Sequence, residues 1–92
     1  MTSGVPWIVY MIESLSGKIY TGISTDPDRR FEEHLFEKTG AKFFRGDPPS
    51  SIVFREVYGN RSEASKREYS IKKMPRKKKL LLIEKLKNKG KS

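Results

Sequence analysis

Apolar and aromatic side chains concentrate in three short runs of the chain. The runs lie at residues 7–12, 18–23 and 52–58, and each is rich in β-branched and aromatic residues, a composition typical of β-strands. Only a turn-forming stretch, residues 14–17, separates the first two runs, so we expect them to pair as an antiparallel hairpin. The pattern predicts a small sheet of three strands that is mainly antiparallel.

The first predicted helix follows the hairpin directly. It covers residues 27–38, with Asp26 as its N-cap and Pro27 at the first helical position, and it ends near Gly40. The stretch that follows, residues 39–51, is predicted to be a loop because glycines, prolines and serines interrupt any periodicity.

Two further helices are predicted after the third strand. One is capped by Asn60 or Ser62 and ends near Met74, because a proline follows. The other covers residues 76–88, and its apolar face contains Leu80, Leu82, Ile83 and Leu86. We therefore expect an α/β (α+β) fold in which a small three-stranded, mainly antiparallel sheet is flanked by three helices.

The size and composition of the chain are those of one small domain, residues 1–92, ending in a basic helix and tail, residues 76–92. There are no cysteines, which fits a reducing compartment. The apolar run at residues 5–12 is too short to span a bilayer and no basic residue precedes it, so we expect neither a signal peptide nor a membrane helix. A cytoplasmic monomer without membrane association is the expectation.

Positive charge is concentrated at the C-terminal end. Residues 1–71 hold ten Lys/Arg and ten Asp/Glu, whereas residues 72–92 hold ten Lys/Arg and one glutamate, which accounts for the whole net charge of +9. Such asymmetry favours a polyanionic partner, with nucleic acid first and an anionic membrane surface second. A solvated, lysine-rich segment that only keeps the protein soluble is the alternative.

Basic residues of this segment, and of the loop at residues 39–51, are the candidate nucleic-acid contacts. In the loop they flank two phenylalanines, a pattern suited to stacking on bases and gripping phosphates, although the phenylalanines could equally cap the core. The candidates are Lys42, Arg45, Lys72, Lys73, Arg76, Lys77, Lys78 and Lys79.

Three titratable residues stand out on the predicted helices. Glu68 lies in an apolar stripe between Ala64 and Ile71, a costly place for a carboxylate unless it forms an ion pair or binds a metal. An ion pair with a neighbouring lysine or arginine, such as Arg30, and a metal site remain equal alternatives. Arg30 itself forms an i, i+4 pair with His34 at the edge of a buried face.

Each strand of the hairpin carries a tyrosine. In the residues around these two tyrosines, the chain resembles the GIY-YIG nuclease family. The two halves of the family motif correspond to residues 8–10 (Ile-Val-Tyr) and 20–22 (Tyr-Thr-Gly), followed by Arg30, His34 and Glu68 at matching intervals. The short length is similar to small stand-alone bacterial members. The resemblance implies an antiparallel three-stranded sheet flanked by helices, and phosphodiester hydrolysis with one divalent metal, Mg²⁺ or another such as Mn²⁺.

The resemblance also implies a role for each residue. Tyr10 would deprotonate or orient the attacking water, and Tyr20 would hydrogen-bond the phosphate or the water. Arg30 would stabilise charge on the phosphate, His34 would assist proton transfer or hold Tyr10, and Glu68 would bind the metal. A phenol is a poor base at neutral pH unless cations lower its pKa, and Arg30, the metal and the basic C-terminal segment could do so.

The glycine of the second half, Gly22, would let the backbone approach the site closely. Whether Tyr10 and Tyr20 share a face of the sheet depends on the length of the turn between the strands, and the sequence leaves the register open.

The chain departs from the family pattern at Ile23, where many members have a lysine, and at Leu80, where others have an asparagine. The first hypothesis is a metal-dependent endonuclease acting on DNA, including structured or damaged DNA in repair or recombination, with sequence specificity that is either low or supplied by a partner protein. The alternative is a non-catalytic nucleic-acid-binding module that keeps the fold. An adaptor for an acidic protein is a third, weaker option.

Overall fold

The structure is a computed structural model that describes residues 5–35 and 46–89. The elements follow the order β1 (Trp7–Ser14), β2 (Ile19–Ser24), α1 (Pro27–Leu35), β3 (Pro49–Tyr58), α2 (Arg61–Lys72) and α3 (Arg76–Lys89). The strand order is β2-β1-β3, and both pairings are antiparallel. The predicted fold class is confirmed: the described residues form a three-stranded antiparallel sheet with three helices.

The central strand β1 divides the core into two parts because successive side chains point to opposite faces of the sheet. Val9 and Met11 face α2 and α3, where they pack with Phe54 and with buried residues of the two helices, Ala64, Ile71 and Ile83. On the other face, Tyr10 and Ile12 pack with Tyr20 of β2, Phe31 of α1 and Ile52 of β3. The sheet is thus the middle layer between α1 and the α2–α3 pair.

Helix α1 begins as the sequence predicts. Asp26 caps it, with Oδ1 accepting a hydrogen bond from the backbone N–H of Arg29 at 3.2 Å, and Pro27 occupies the first helical position. The helix is described as far as Leu35, so the predicted continuation to residue 38 lies outside the described residues.

Helix α2 settles which of the two candidate caps is used. The side chain of Asn60 accepts a hydrogen bond from the N–H of Glu63 at 2.9 Å, with an extended backbone at the cap, and Ser62 is already inside the helix. The helix ends at Lys72, two residues earlier than predicted.

Strand β3 begins at Pro49 rather than at Ile52 as predicted. The extra residues pair with the end of β1, where Ser14 lies opposite Pro49 after two register shifts. Asp47 anchors the approach to the strand by accepting hydrogen bonds from the side chains of Ser14 at 2.8 Å and Ser16 at 2.7 Å. Proline and serine have low strand propensity, so the pairing there depends on these non-local contacts.

Helix α3 packs on the core through Ile83 and Leu82, while Leu80 and Leu86 stay substantially exposed. Its predicted apolar face is therefore only half buried. Within residues 5–35 and 46–89, no helix combines the length and the apolar composition needed to cross a membrane.

Candidate active site

The register of the hairpin places both tyrosines on one face of the sheet. Tyr10 lies opposite Gly22 and Tyr20 lies opposite Ile12, so the two tyrosines are diagonal neighbours. Their ring centroids are 6.3 Å apart, with an interplanar angle of 44°. The question that the sequence left open is thereby answered.

Gly22 makes room for the phenol of Tyr10. A Cβ atom at Gly22 would lie 2.8 Å from Tyr10 Oη, 2.9 Å from Tyr10 Cζ and 3.1 Å from Tyr20 Cε2. Any side chain there would collide with the ring across the strand pair. The absence of a side chain at Gly22 thus lets the phenol of Tyr10 lie close to the backbone of β2.

Tyr10 is held in its protonated form. The side chain is 1% exposed, and burial, reinforced by the neighbouring Tyr20 phenol, raises the pKa of Tyr10 from 10.0 to about 12. A hydrogen bond from Arg30 and its positive charge lower that pKa, as expected for a nearby cation, but burial outweighs them. At neutral pH the phenol is a hydrogen-bond donor rather than a base.

Arg30 is positioned by groups on both sides. Its Nη1 donates to Glu33 Oε1 at 2.5 Å one helical turn later, and its side chain also hydrogen-bonds the Tyr10 hydroxyl. Burial alone would lower the pKa of Arg30, but the hydrogen bonds to Glu33 and Tyr10 leave it raised. A fixed guanidinium therefore lies directly beside the Tyr10 hydroxyl.

His34 is more deeply buried than the sequence predicts, since only 1% of it is exposed. Its ring packs edge-on against Tyr20, with centroids 5.3 Å apart. Burial and the positive charge of Arg30 lower the pKa of His34, whereas Glu33 opposes the shift. The imidazole is thus neutral at pH 7, with one ring nitrogen unprotonated.

Glu68 reaches the site from α2, whose buried residues pack on the other face of the sheet. Its side chain is 22% exposed, and Oε2 lies 3.1 Å from Lys72 Nζ, so the ion pair, one of the two alternatives for this carboxylate, is present with Lys72. Arg30 instead pairs with Glu33. The Glu68 carboxylate is still close enough to contribute to the raised pKa of Tyr10.

The donor chemistry at Glu68 fits a magnesium ion. In the part of the chain that the structure describes, no group of three or more His, Cys, Asp or Glu side chains could hold a metal by itself. Magnesium, however, commonly binds through one or two carboxylates and completes its coordination with water and substrate phosphates. Glu68 can serve as that carboxylate.

Arg55 was not among the predicted site residues. It lies directly opposite Tyr10 on β3, on the same face of the sheet, and its Nη2 pairs with Asp28 Oδ1 at 2.7 Å. Arg55 and Asp28 border a groove of about 320 Å³ that is also lined by Phe31, Ser50, Ser51 and Ile52. Only the β1–β3 register reveals Arg55, and no local sequence signal could have found it.

Some of the predicted nucleic-acid contacts already form an ion pair or a hydrogen bond within the protein. Lys72 pairs with Glu68, and Arg76 Nη1 donates to the carbonyl oxygen of Gly17 at 2.8 Å. Three further candidates lie at the start of α3, namely Lys77, Lys78 and Lys79. Lys42 and Arg45 fall outside the described residues.

A family model for the GIY-YIG catalytic domain matches residues 6–80. The chain belongs to the GIY-YIG family. The matched span runs from the lead-in of β1 into α3 and so includes both tyrosine strands, α1, β3 and α2. GIY-YIG proteins form a nuclease superfamily that acts on DNA and generally uses divalent metals.

Within the GIY-YIG family, several similar proteins are bacterial UPF0213 proteins. The chain is 43% identical over 78 residues to one from Desulfotalea psychrophila, a match that covers 85% of this chain and 71% of the relative. It is 40% identical over 78 residues to UPF0213 protein YhbQ of Escherichia coli K12, covering 85% and 77%. The solution NMR structure of a UPF0213 protein from Bacillus halodurans matches with a TM-score of 0.55 at 38% identity, covering 86% of this chain and 83% of that one.

The two departures from the GIY-YIG pattern occupy different environments. Ile23 on β2 packs against the core on the α2 side of the sheet. Leu80 is 40% exposed on α3. Ile23 is therefore part of the core packing, whereas at Leu80 a polar residue would meet solvent at little cost.

Proposed function

We propose that the protein is an endonuclease that hydrolyses phosphodiester bonds of DNA with one divalent metal ion, Mg²⁺ or Mn²⁺. The observation that carries the proposal is the convergence of Tyr10, Tyr20, Arg30 and His34 on one face of the sheet, with the Glu68 carboxylate within electrostatic range of Tyr10. Packing alone would explain the tyrosines, but it would not bring a fixed guanidinium and a neutral imidazole to the same two rings.

Arg30 stabilises the negative charge that develops on the phosphate. The guanidinium is held in place by Glu33 and by the Tyr10 hydroxyl, so little reorganisation is needed when charge appears. Glu68 would hold the metal, which would supply Lewis-acid polarisation of a phosphoryl oxygen. Lys72 forms an ion pair with Glu68, and the metal would compete with it for the carboxylate.

Protons are handled by the three rings on the same face. Tyr10, with a pKa of about 12, orients the attacking water through its hydroxyl and does not itself take the proton. The neutral imidazole of His34 is a better proton acceptor near pH 7, and its contact with Tyr20 orients both rings. The pKa directions thus favour water orientation as the role of Tyr10.

A cleavage assay with matched variants tests the proposal. Labelled DNA of several shapes is incubated with the purified protein, with and without Mg²⁺. Glu68→Gln and Tyr10→Phe should each lower the rate by about 10²-fold or more, the usual cost of removing one stabilising group at such a site. Glu63→Gln is the control, because Glu63 is an exposed acid in the first turn of the same helix.

The outcome separates the enzyme from a contaminant. Magnesium-dependent cleavage that Glu68→Gln removes and Glu63→Gln retains supports the proposal. Cleavage that survives in both Glu68→Gln and Tyr10→Phe comes from another protein, and the proposal is then abandoned.

A nucleic-acid-binding module without catalysis is the second candidate. The Glu68–Lys72 ion pair favours it, because a neutralised carboxylate needs no metal, and so do the departures at Ile23 and Leu80. This candidate requires nucleic-acid binding that is insensitive to metal. Chemical-shift changes centred on Glu68 during a magnesium titration would exclude it.

A further inference from the structure

A groove lies where α2 ends and α3 begins, apart from the groove beside Arg55. It has a volume of about 420 Å³ and is lined by Tyr69, Ser70, Lys73, Met74, Pro75 and Lys78. Sites for small organic ligands typically range from about 300 to 1,000 Å³. The groove is therefore large enough for a single flat heteroaromatic ring with its attached group.

Tyr69 presents an aromatic ring to this groove without a role in the core. The residue is 65% exposed and belongs to neither hydrophobic cluster of the sheet. The Lys73 ammonium lies 4.6 Å from the ring centroid. Because the ammonium lies over one face of the ring, a flat base would stack on the other face, while the cation supplies charge for a phosphate, the combination used to bind nucleotides in single strands.

The charge around the groove is uncompensated. Among the described residues, Lys73, Lys77 and Lys78 take part in no ion pair, and the first turn of α3 carries no acidic residue. Lys72 already neutralises Glu68, the carboxylate next to Tyr69 along the chain. The groove therefore favours an anionic ligand.

The groove is also fixed within the fold, at the end of the helix that carries Glu68. Glu68 and Tyr69 are consecutive in α2, so the candidate metal-binding carboxylate and the exposed ring are on the same helical turn, with side chains about 100° apart around the helix axis. The hydrogen bond from Arg76 to the carbonyl oxygen of Gly17 fixes the start of α3 against the β1–β2 turn. A preformed groove loses less entropy on binding than a mobile one.

We propose that this groove is a nucleotide-binding subsite, in which one nucleobase stacks on Tyr69 and Lys73 and Lys78 bind the adjoining phosphate. The base must be unstacked from at least one neighbour, because a fully stacked base offers no free face to the ring. The nucleotide would flank the bond that is cleaved, and this part of the inference rests on the proposed nuclease function. The binding itself does not depend on cleavage.

Binding measured without metal tests the subsite. The affinity for a short fluorescent single-stranded oligonucleotide is determined by anisotropy in EDTA, where no metal-dependent cleavage occurs. Tyr69→Ala should weaken binding about tenfold, the effect of losing one base–aromatic stack, whereas Tyr69→Phe should bind like the wild type. Val57→Ala is the matched control, because Val57 is equally exposed, at 65%, on β3.

Two further measurements separate stacking from charge. The first uses an abasic oligonucleotide, which has the same backbone but no bases. Tyr69→Ala and the wild type should bind this oligonucleotide with equal affinity. Lys78→Gln should reduce the dependence of log K on log salt by about 0.7, the value of one phosphate contact in a single strand, whereas Tyr69→Ala should leave that slope unchanged. Equal melting temperatures of wild type and variants establish that the fold is intact.

The subsite is refuted if Tyr69→Ala binds the normal strand as tightly as the wild type does, or loses the same affinity for the abasic strand. Failure of the proposed function looks different. If magnesium produces no cleavage but the Tyr69 effect is present, the subsite stands and the nuclease proposal fails. If cleavage depends on Glu68 but Tyr69→Ala binds normally, only the subsite fails.

Discussion

At the scale of single residues, the candidate site depends on which effect controls each side chain. Tyr10 has a cation beside it, yet burial determines its pKa. For His34, burial and the positive charge of Arg30 both lower the pKa. Gly22 has no side chain, and the resulting space is filled by a neighbouring phenol. Two of these three residues lead to direct predictions.

Gly22→Ala should destabilise the protein because the new Cβ would lie 2.8 Å from the hydroxyl oxygen of Tyr10 and 2.9 Å from its Cζ. The ring is buried and cannot move freely, so a loss of about 1–3 kcal/mol in the free energy of unfolding is expected in urea titrations. Gly59→Ala is the control, since a Cβ there meets nothing within 4 Å and the backbone is not left-handed. Equal losses in the two variants would contradict the proposed packing.

His34 should titrate below the usual range of histidine. It is the only histidine of the chain, so its imidazole protons give a single NMR titration curve. Arg30→Gln should raise the midpoint, because it removes one of the two causes of the lowered pKa. Since the fold favours neutral His34, the stability that this contributes is present above the ordinary pKa of about 6.5 and is lost as the pH falls. A midpoint at or above the ordinary value would show that the imidazole is not buried as described.

At the scale of elements, the sequence predicts those whose signals are local. The hairpin, the Asp26 cap of α1 and the approximate span of α2 follow from turn formers, caps and prolines within a few residues. Features that depend on pairing between strands distant in sequence could not be predicted from the sequence. The start of β3 at Pro49 and the position of Arg55 opposite Tyr10 both require the β1–β3 register, which is set across more than thirty residues of chain.

The cap of α2 provides a test at this scale. Asn60→Ala should cost about 1 kcal/mol in the free energy of unfolding, because the hydrogen bond to the N–H of Glu63 is lost. Ser62→Ala, a change at the other candidate cap, should have an effect within about 0.5 kcal/mol, as is usual for exposed positions. Chemical denaturation of both variants measures the difference. A larger loss of stability in Ser62→Ala than in Asn60→Ala would show that Asn60 is not the cap.

At the scale of the whole molecule, the basic C-terminal segment is not a detachable tail. Ile83 and Leu82 of α3 pack into the same core as Val9 and Met11 of β1. Deleting residues 76–92 would therefore remove core packing together with positive charge, and a loss of nucleic-acid binding would have two causes. Substitutions of exposed lysines change the charge and leave the core intact.

The contacts of Asp47 also affect how the chain folds. Its carboxylate accepts hydrogen bonds from Ser16 and Ser14, 31 and 33 residues away in sequence, and the neighbouring Pro48 carbonyl accepts one from the N–H of Leu15. The turn of the hairpin is thus completed by residues that precede β3, although hairpins usually form from local contacts alone. Hydrogen exchange at the Leu15 and Ser16 amides should consequently follow the opening of β3 rather than the fraying of an isolated turn.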